Sequence, residues 1–342
     1  MKNIRVGMDI SQVAHRGGVA IYTQNLSQEL SKNKGLEMTY FYSSLRKSYR
    51  GHLKNIKKYR LPPTFFEMLF NRWRNVSIER FLGPLDIFHS SDWTQPPSKA
   101  KKVTTYHDLV PIKYPQWSHP KIVSVHKRRL YLIEQEIDHV ICVSESAKND
   151  LMEVSSIPKE KITVIYEAPT AEFKIQPKDK IEAFKKKYNL PDKFVLAIGG
   201  IGERRNLARI KEACKDYHLI ISGKDIPWLE DLGELELLYN CAQALVYCSL
   251  YEGFGLPILD AFSCGLPVVT SNVSAMPEIG GEAALYTDPY NVEDMTIKLR
   301  SVLENEDMRN IMIKKGLTRV KQFSWKKTAL ETAQVYRRLV NR

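Results

Sequence analysis

No apolar run in this 342-residue chain approaches the roughly 18 residues that cross a bilayer. Met1-Lys2-Asn3 leads straight into an apolar pattern, Ile4 to Ile10, too short and too well patterned for a secretory signal. A soluble protein is expected, with a membrane-surface location left open. The five cysteines, Cys142, Cys214, Cys241, Cys248 and Cys264, form no C-x-x-C pair and sit in apolar surroundings. They read as buried free thiols of a reducing compartment, neither zinc ligands nor a disulfide frame. Ser222-Gly223-Lys224-Asp225 lacks the upstream glycine and the hydroxyl of a phosphate-binding Walker loop. No Asp-x-Asp pair, internal repeat or low-complexity tract is present.

What remains is long enough for two domains. Hydrophobic residues make up 43% of the chain and the net charge is +12. Such a field favours anionic partners such as nucleic acid, acidic lipid or phosphorylated substrates, although a solvated basic surface without a dedicated partner is also common.

Short apolar strand patterns alternate with helical ones. A first series covers Ile4–Ile10, Met38–Tyr42, Asp86–His89, Val103–Tyr106, Val140–Val143 and Ile162–Ile165. A second covers Phe194–Ile198, Leu219–Ser222, Ala244–Tyr247, Pro267–Thr270 and Ala284–Tyr286. Repeated β-α-β alternation predicts α/β architecture with parallel sheets covered by helices. Pro169, Pro177 and Pro191, with lysines between them, mark a linker over residues 169–192 that includes a short helix, Lys178–Tyr188. The division is therefore 1–168, the linker, 193–322, and a final amphipathic helix within 323–342, with Ser324 as its N-cap. Two such domains place a ligand in a cleft at the carboxyl ends of their strands.

Four segments carry chemistry. Gly17-Gly18 precedes the helical stretch Val19–Leu30, where a close backbone approach and free N–H groups suit an anion. A double glycine is also the composition of an ordinary turn. Gly199-Gly200-Ile201-Gly202-Glu203-Arg204-Arg205-Asn206 follows a strand, but Arg205 stands where a dinucleotide fingerprint needs its third glycine. Two arginines at a helix start suit a diphosphate through bidentate hydrogen bonds, or are ordinary surface charges. Tyr251-Glu252-Gly253-Phe254-Gly255-Leu256-Pro257, leading to Asp260, places carboxylates on either side of a glycine-rich helix start, with Pro257 in its first turn. These groups suit sugar hydroxyls. Thr105-Tyr106-His107-Asp108-Leu109 ends a strand, so His107 can bond a hydroxyl or phosphate, or the pair is simply a turn capped by Asp108.

Taken in order, these segments resemble glycosyltransferase family four, the large group of retaining GT-B transferases. The resemblance also takes in Val143-Ser144-Glu145-Ser146-Ala147-Lys148, Cys264-Gly265-Leu266-Pro267, Met276-Pro277-Glu278 and Phe323-Ser324-Trp325, and so covers nearly the whole chain. It implies a GT-B fold: two Rossmann-like domains facing a central cleft, the first on the acceptor side, the second binding a nucleotide sugar, and the last helix crossing back to the first. Glu252 matches the first acid of the family's E-x7-E pair, near the donor sugar, and Asp260 the second, which holds the ribose. Arg204 and Arg205 match the basic pair on the diphosphate, and Gly18, beside Gly17, the loop glycine close to it. Gly253, Phe254, Gly255 and Leu256 contact sugar or phosphate through their backbone, and His107 touches the donor sugar. The resemblance further implies front-face attack with retention at C1, no cofactor and no metal. A double displacement through Glu252 is the weaker route.

Three departures stand out. Asp260 is one methylene shorter than the usual glutamate, Arg205 replaces a common lysine, and the stretch from Ser222 to Glu234, which normally shapes the base pocket, is short. The Arg-Arg-Asn and His-Asp-Leu contexts resemble mannosyl- and rhamnosyl-transferring members of surface polysaccharide synthesis, lipopolysaccharide included. GDP-mannose is the expected donor, a UDP-sugar the next, and a lipid-linked or polysaccharide hydroxyl the acceptor. The basic stretches Lys47–Arg60 and His119–Leu132, and the aromatic segment Phe65–Arg74, read as a core helix with a basic outer face or as a contact with an anionic membrane on the cytoplasmic side. Alternatives are another GT-B enzyme, such as a nucleotide-sugar epimerase or glycan phosphorylase, and a non-catalytic GT-B subunit. A nucleic-acid partner is not expected, because the charge is dispersed and no binding motif is present.

Overall fold

A computed structural model of the chain describes residues 3–15, 17–200, 202–226, 229 and 231–341. Met1, Lys2, Ile201, Pro227, Trp228 and Glu230, which belong to segments read above, lie outside them. The chain divides into two compact units. One holds Met1–Glu167 with Trp325–Arg342, and the other holds Ala168–Ser324.

The first unit is built on a seven-stranded sheet. Its strands are β1 (Ile4–Asp9), β2 (Leu36–Ser43), β3 (Ile56–Tyr59), β4 (Ile87–Ser90), β5 (Lys101–Tyr106), β6 (His139–Cys142) and β7 (Ile162–Val164). They lie in the order β3-β2-β1-β4-β5-β6-β7, every neighbouring pair parallel. The second unit carries β8 (Val195–Ala197), β9 (Leu219–Ile221), β10 (Ala244–Tyr247), β11 (Val268–Ser271) and β12 (Leu285–Thr287), ordered β12-β11-β10-β8-β9 and again parallel. Parallel strands need both faces covered, and the near-continuous apolar runs at β6, β10 and β11, buried at every position, follow from that.

All eleven strands expected from the sequence are present, and β3 is an addition. Its sequence, Ile56-Lys57-Lys58-Tyr59, has two exposed lysines at its centre. It forms the sheet's edge, pairing with β2, and charged edge positions discourage further strand addition. Part of the basic stretch Lys47–Arg60 is thus an edge strand.

The aromatic segment is two-faced. The helix Pro63–Glu67 continues as the π-helical turn Met68–Trp73. Phe66, Leu69 and Phe70 are buried, with the Phe66 ring 4.9 Å from that of Phe41 on β2. Phe65, Met68 and Trp73 face outward. In the second basic stretch, the helix Pro120–Glu136 turns Arg129 fully inward, where it bonds Thr104 and lies 4.6 Å over the Tyr106 ring. That arginine is structural. All five cysteines are buried and free, with thiols pushed up by burial. Residues 169–192 pack within the second unit. Phe173 is buried against Tyr239, and Lys174 donates its N–H to Glu236 at 2.8 Å. No described helix is long and apolar enough to cross a membrane.

The last helix, Trp325–Val340, packs on the helix Gly18–Ser31 of the first unit. Tyr336 sits 2.6 Å from Nδ1 of buried His89, whose Nε2 lies 2.9 Å from Thr105 Oγ1. Burial, then the charges of His107 and Arg129, push the His89 imidazole down to about 3. Its unfolded value is about 6.5. Between those limits the unfolded chain holds a proton that the folded chain does not. The stability His89 contributes is therefore complete above about pH 6.5 and is lost as pH falls toward 3. Urea unfolding between pH 7.5 and 5 is expected to show a smaller loss of stability in His89→Gln than in the parent. Equal losses would show that His89 does not titrate this way.

Candidate functional site

The sequence-marked residues of the second unit converge at the carboxyl ends of β8 and β10. After β8 the chain turns through Gly199 and Gly200, at φ +126° and +72°. A Cβ on Gly199 would meet the Arg205 side chain at 3.0 Å, so the glycine makes room for that arginine. The turn Glu203–Arg205 ends at Asn206, which holds the left-handed region at φ 57° before the helix Leu207–Ala213. Asn206 is buried, and its amide donates to the carbonyls of Cys248, at 3.0 Å, and Pro289. The Leu250 N–H donates to the Arg204 carbonyl at 2.8 Å. The arginine turn is thus fastened to the segment that follows β10.

That segment carries Glu252. Its backbone N–H donates to Ser274 Oγ at 3.0 Å. Its carboxylate lies between the two guanidiniums: Arg204 Nη1 donates to Oε2 at 2.9 Å, and Arg205 Nη1 donates to Oε1. Arg204 also donates to the Tyr251 carbonyl at 3.1 Å, and Arg205 to the Tyr247 hydroxyl at 2.8 Å. The Glu252 side chain is 8% exposed and each arginine 21%, so the acid is enclosed while both guanidiniums keep a solvent face. Burial raises the Tyr247 hydroxyl above its ordinary range. One carboxylate against two guanidiniums leaves net positive charge. Each guanidinium has five N–H donors, so donors remain for a further anion.

Gly253 and Phe254 lead into the helix Leu256–Ser263, capped by Gly255 at φ 102° with Pro257 in its first turn. Phe254 is buried, 6.3 Å edge-on to Phe323. A side chain at Gly255 would be strained by its backbone and meet Ile258 Cδ1 at 3.3 Å. Gly255→Ala is therefore expected to cost about 1–2 kcal/mol, seen as a lowered melting point. An unchanged melting point would mean that the turn relaxes without cost. Asp260 lies one turn into the helix and is buried, as expected of a residue on its inner face. The Thr170 N–H donates to its Oδ1 at 2.8 Å, and the Thr170 hydroxyl to Oδ2 at 3.3 Å. Its shorter side chain is thus spent, at least in part, on holding the start of the second unit.

The remaining marked residues belong to the first unit. Gly17, at φ 102°, caps the helix Gly18–Ser31. His107 follows β5, and its Nδ1 lies 2.9 Å from Oε1 of buried Glu167. The Tyr22 ring stands edge-on to the imidazole at 4.5 Å, and the Tyr22 hydroxyl bonds Thr105 at 3.0 Å. With Nδ1 donating to the carboxylate, Nε2 of His107 is left for a further hydrogen bond. Asp108 accepts the Val110 N–H at 3.0 Å, so it does serve as the turn's cap while His107 has separate partners. Sequence reasoning missed Glu167, Tyr247, Ser274 and Thr170 as parts of these arrangements. Glu167 had one usable signal, its place just past the end of β7. Among the described residues no cluster of histidine, cysteine and acid has the makings of a metal site.

The family model described as glycosyl transferases group 1 matches residues 147–319, about half of the chain, and that of Glycosyltransferase Family 4 matches 16–168. The chain belongs to the group 1 glycosyltransferases. It is 30% identical over 284 residues to the O-antigen chain mannosyltransferase B of Escherichia coli, covering 74% of each chain. It is 28% identical over 276 residues to the serotype-specific mannosyltransferase WbdA of Escherichia coli, covering 70% of this chain but only 34% of that longer protein. In structure it is similar to a sucrose-phosphate synthase from Thermosynechococcus elongatus, with a TM-score of 0.79 over 98% of this chain and 99% of that one, at 19% identity. The fold is GT-B, and this glycosyltransferase carries its arginine–glutamate cluster in the unit that the group 1 model covers for most of its length.

Proposed function

We propose that this glycosyltransferase moves mannose from GDP-mannose to a hydroxyl of a lipid-linked or polysaccharide acceptor, with retention at C1 and without a metal. The observation that carries the reading is the Arg204–Glu252–Arg205 cluster at the end of β8 and β10, beside a glycine-capped helix start. The guanidiniums and the helix's N-terminal dipole end take the charge that grows on the leaving diphosphate. The bond from C1 to the phosphate oxygen breaks, the acceptor oxygen bonds C1 on the same face, and the acceptor's proton passes to the departing phosphate oxygen. Both oxygens of Glu252 are held by guanidiniums, which makes the carboxylate a poor nucleophile and favours this front-face route over a covalent intermediate. Glu252 then orients the sugar and the arginines, Asp260 contributes to the ribose side, and Gly17, Gly18 and the backbone of Gly253 to Leu256 line the diphosphate and sugar. His107, its imidazole fixed by Glu167, offers Nε2 to a sugar hydroxyl. Mannose is favoured by the relatives named above. The net charge of +12 and the outward Phe65, Met68 and Trp73 suit an anionic membrane surface on the cytoplasmic side.

The test is a transfer reaction with GDP-mannose, UDP-glucose and UDP-galactose, reading the product's anomeric configuration by NMR. An α-linked mannosyl product from GDP-mannose, undiminished by a chelator, is expected. A β-linked product, a chelator-sensitive rate, or preference for a UDP-sugar would overturn the corresponding part.

A further inference from the structure

A row of buried polar side chains runs from the last helix across the first sheet and ends on His107. Its members are Tyr336, His89, Thr105 and Tyr22, none more than 4% exposed and all within the first unit. His89 on β4 pairs with Val103 on β5, so Thr105, two residues on, shares its face of the sheet. The Tyr336 hydroxyl lies 2.6 Å from Nδ1 of His89, and Nε2 of His89 lies 2.9 Å from Thr105 Oγ1. The same Thr105 oxygen lies 3.0 Å from the Tyr22 hydroxyl. The Tyr22 ring then stands edge-on to the His107 imidazole at 4.5 Å and to the Trp325 indole at 5.9 Å. Trp325 opens the last helix and Tyr336 lies about three turns further along it. That helix therefore holds Tyr22 at two points, the ring directly and the hydroxyl through His89 and Thr105.

Packing alone does not call for these groups. Phenylalanine at 22 and 336, with apolar residues at 89 and 105, would fill similar space without desolvating four polar side chains. What a bonded polar row adds is a single fixed arrangement. Burial pushes both phenols up and the His89 imidazole down, so the row is uncharged near neutral pH and acts by shape and hydrogen bonding. His107 itself is 12% exposed at its side chain, with Nδ1 2.9 Å from Oε1 of Glu167. Glu167 determines which ring nitrogen is turned inward. The Tyr22 ring limits the swing of the imidazole about its side-chain bonds.

We propose that Tyr22 is a positioning residue for His107, and that the last helix sets Tyr22 through Trp325 and through the row Tyr336, His89 and Thr105. The inference rests on the reading that His107 offers Nε2 to a sugar hydroxyl, and names what aims that nitrogen. Precise aim requires support behind the contacting side chain, and here the support comes from the far end of the chain.

Long-range proton–nitrogen NMR of the histidine side chains in the full chain tests this, with His107 assigned by the loss of its signals in His107→Ala. In the parent, His107 is expected to give one set of signals with Nδ1 protonated. In Tyr22→Leu these should broaden or shift, and transfer turnover with GDP-mannose should fall about 10-fold, because small misplacements of a contacting group are costly. Tyr22→Phe and Tyr336→Phe, which keep the rings and remove one hydroxyl each, should each lose about 3-fold. The double variant should lose no more than the worse single one, since both cut the same anchor. Thermal shift by GDP should persist in all of them and so show that they fold. Unchanged His107 signals in folded Tyr22→Leu, or losses that multiply in the double variant, would overturn the proposal. If His107→Ala transfers at the parental rate, the sugar contact fails as a reading, and the NMR signals still decide whether Tyr22 orients the imidazole.

Discussion

Glu252→Gln is expected to lower transfer turnover by about 10²–10³-fold, the range seen when one preorganised electrostatic group is removed from an active site. The amide keeps the shape but loses the charge that holds both guanidiniums, which lie against separate oxygens of the carboxylate. The same change removes a negative charge next to the arriving phosphates. Affinity for a nucleoside diphosphate should therefore rise while turnover falls, a combination that general unfolding would not produce. Steady-state kinetics together with calorimetric titration reads both quantities. Near-parental turnover in the folded variant would remove Glu252 from the reaction.

Arg204→Ala carries the second large effect, a loss of about 10³-fold or more in kcat/KM, comparable to removal of an arginine that stabilises a transferring phosphoryl group. Arg204 has two structural tasks besides any ligand: it bonds Glu252 and the Tyr251 carbonyl, and its own carbonyl holds Leu250. Only the side-chain bonds vanish in the variant, so the turn remains fastened through the backbone and Asn206. Arg205→Lys should be much milder, within about 10-fold, because the point charge survives and only the planar fork is lost. A milder Arg204→Ala than Arg205→Lys would reverse the assignment of the two side chains.

Much of the fold was legible because parallel strands announce themselves as short apolar runs between helical patterns. β10, Ala244–Tyr247, matches its expected bounds. β3 was hidden because an edge strand need not be apolar, and Lys57 and Lys58 masked it as a charged stretch. The arginine pair, Glu252 and the Gly255 turn were legible as motifs, since glycines at positive φ and a proline in a first turn leave marks in sequence. Their partners were not. Glu167 reaches His107 across 60 positions, and Thr170 reaches Asp260 across 90. Such pairings arise from the order of strands in the sheet, which local periodicity does not encode. The aromatic segment shows the same limit. Phe65 and Phe66 are adjacent in sequence, yet one faces outward and the other is buried.

Whether the Arg204–Glu252–Arg205 cluster receives the diphosphate of a nucleotide sugar is read by a thermal-shift series with GDP, UDP, ADP and dTDP, and their sugar conjugates. A nucleotide at about 100 times its dissociation constant adds roughly 2.7 kcal/mol to folded-state stability, a shift of several degrees. GDP and GDP-mannose should raise the melting point, the effect should disappear in Arg204→Ala, and it should survive in Glu252→Gln. No shift with any nucleotide at millimolar concentration, or a shift that Arg204→Ala leaves intact, would show that the cluster does not receive the diphosphate.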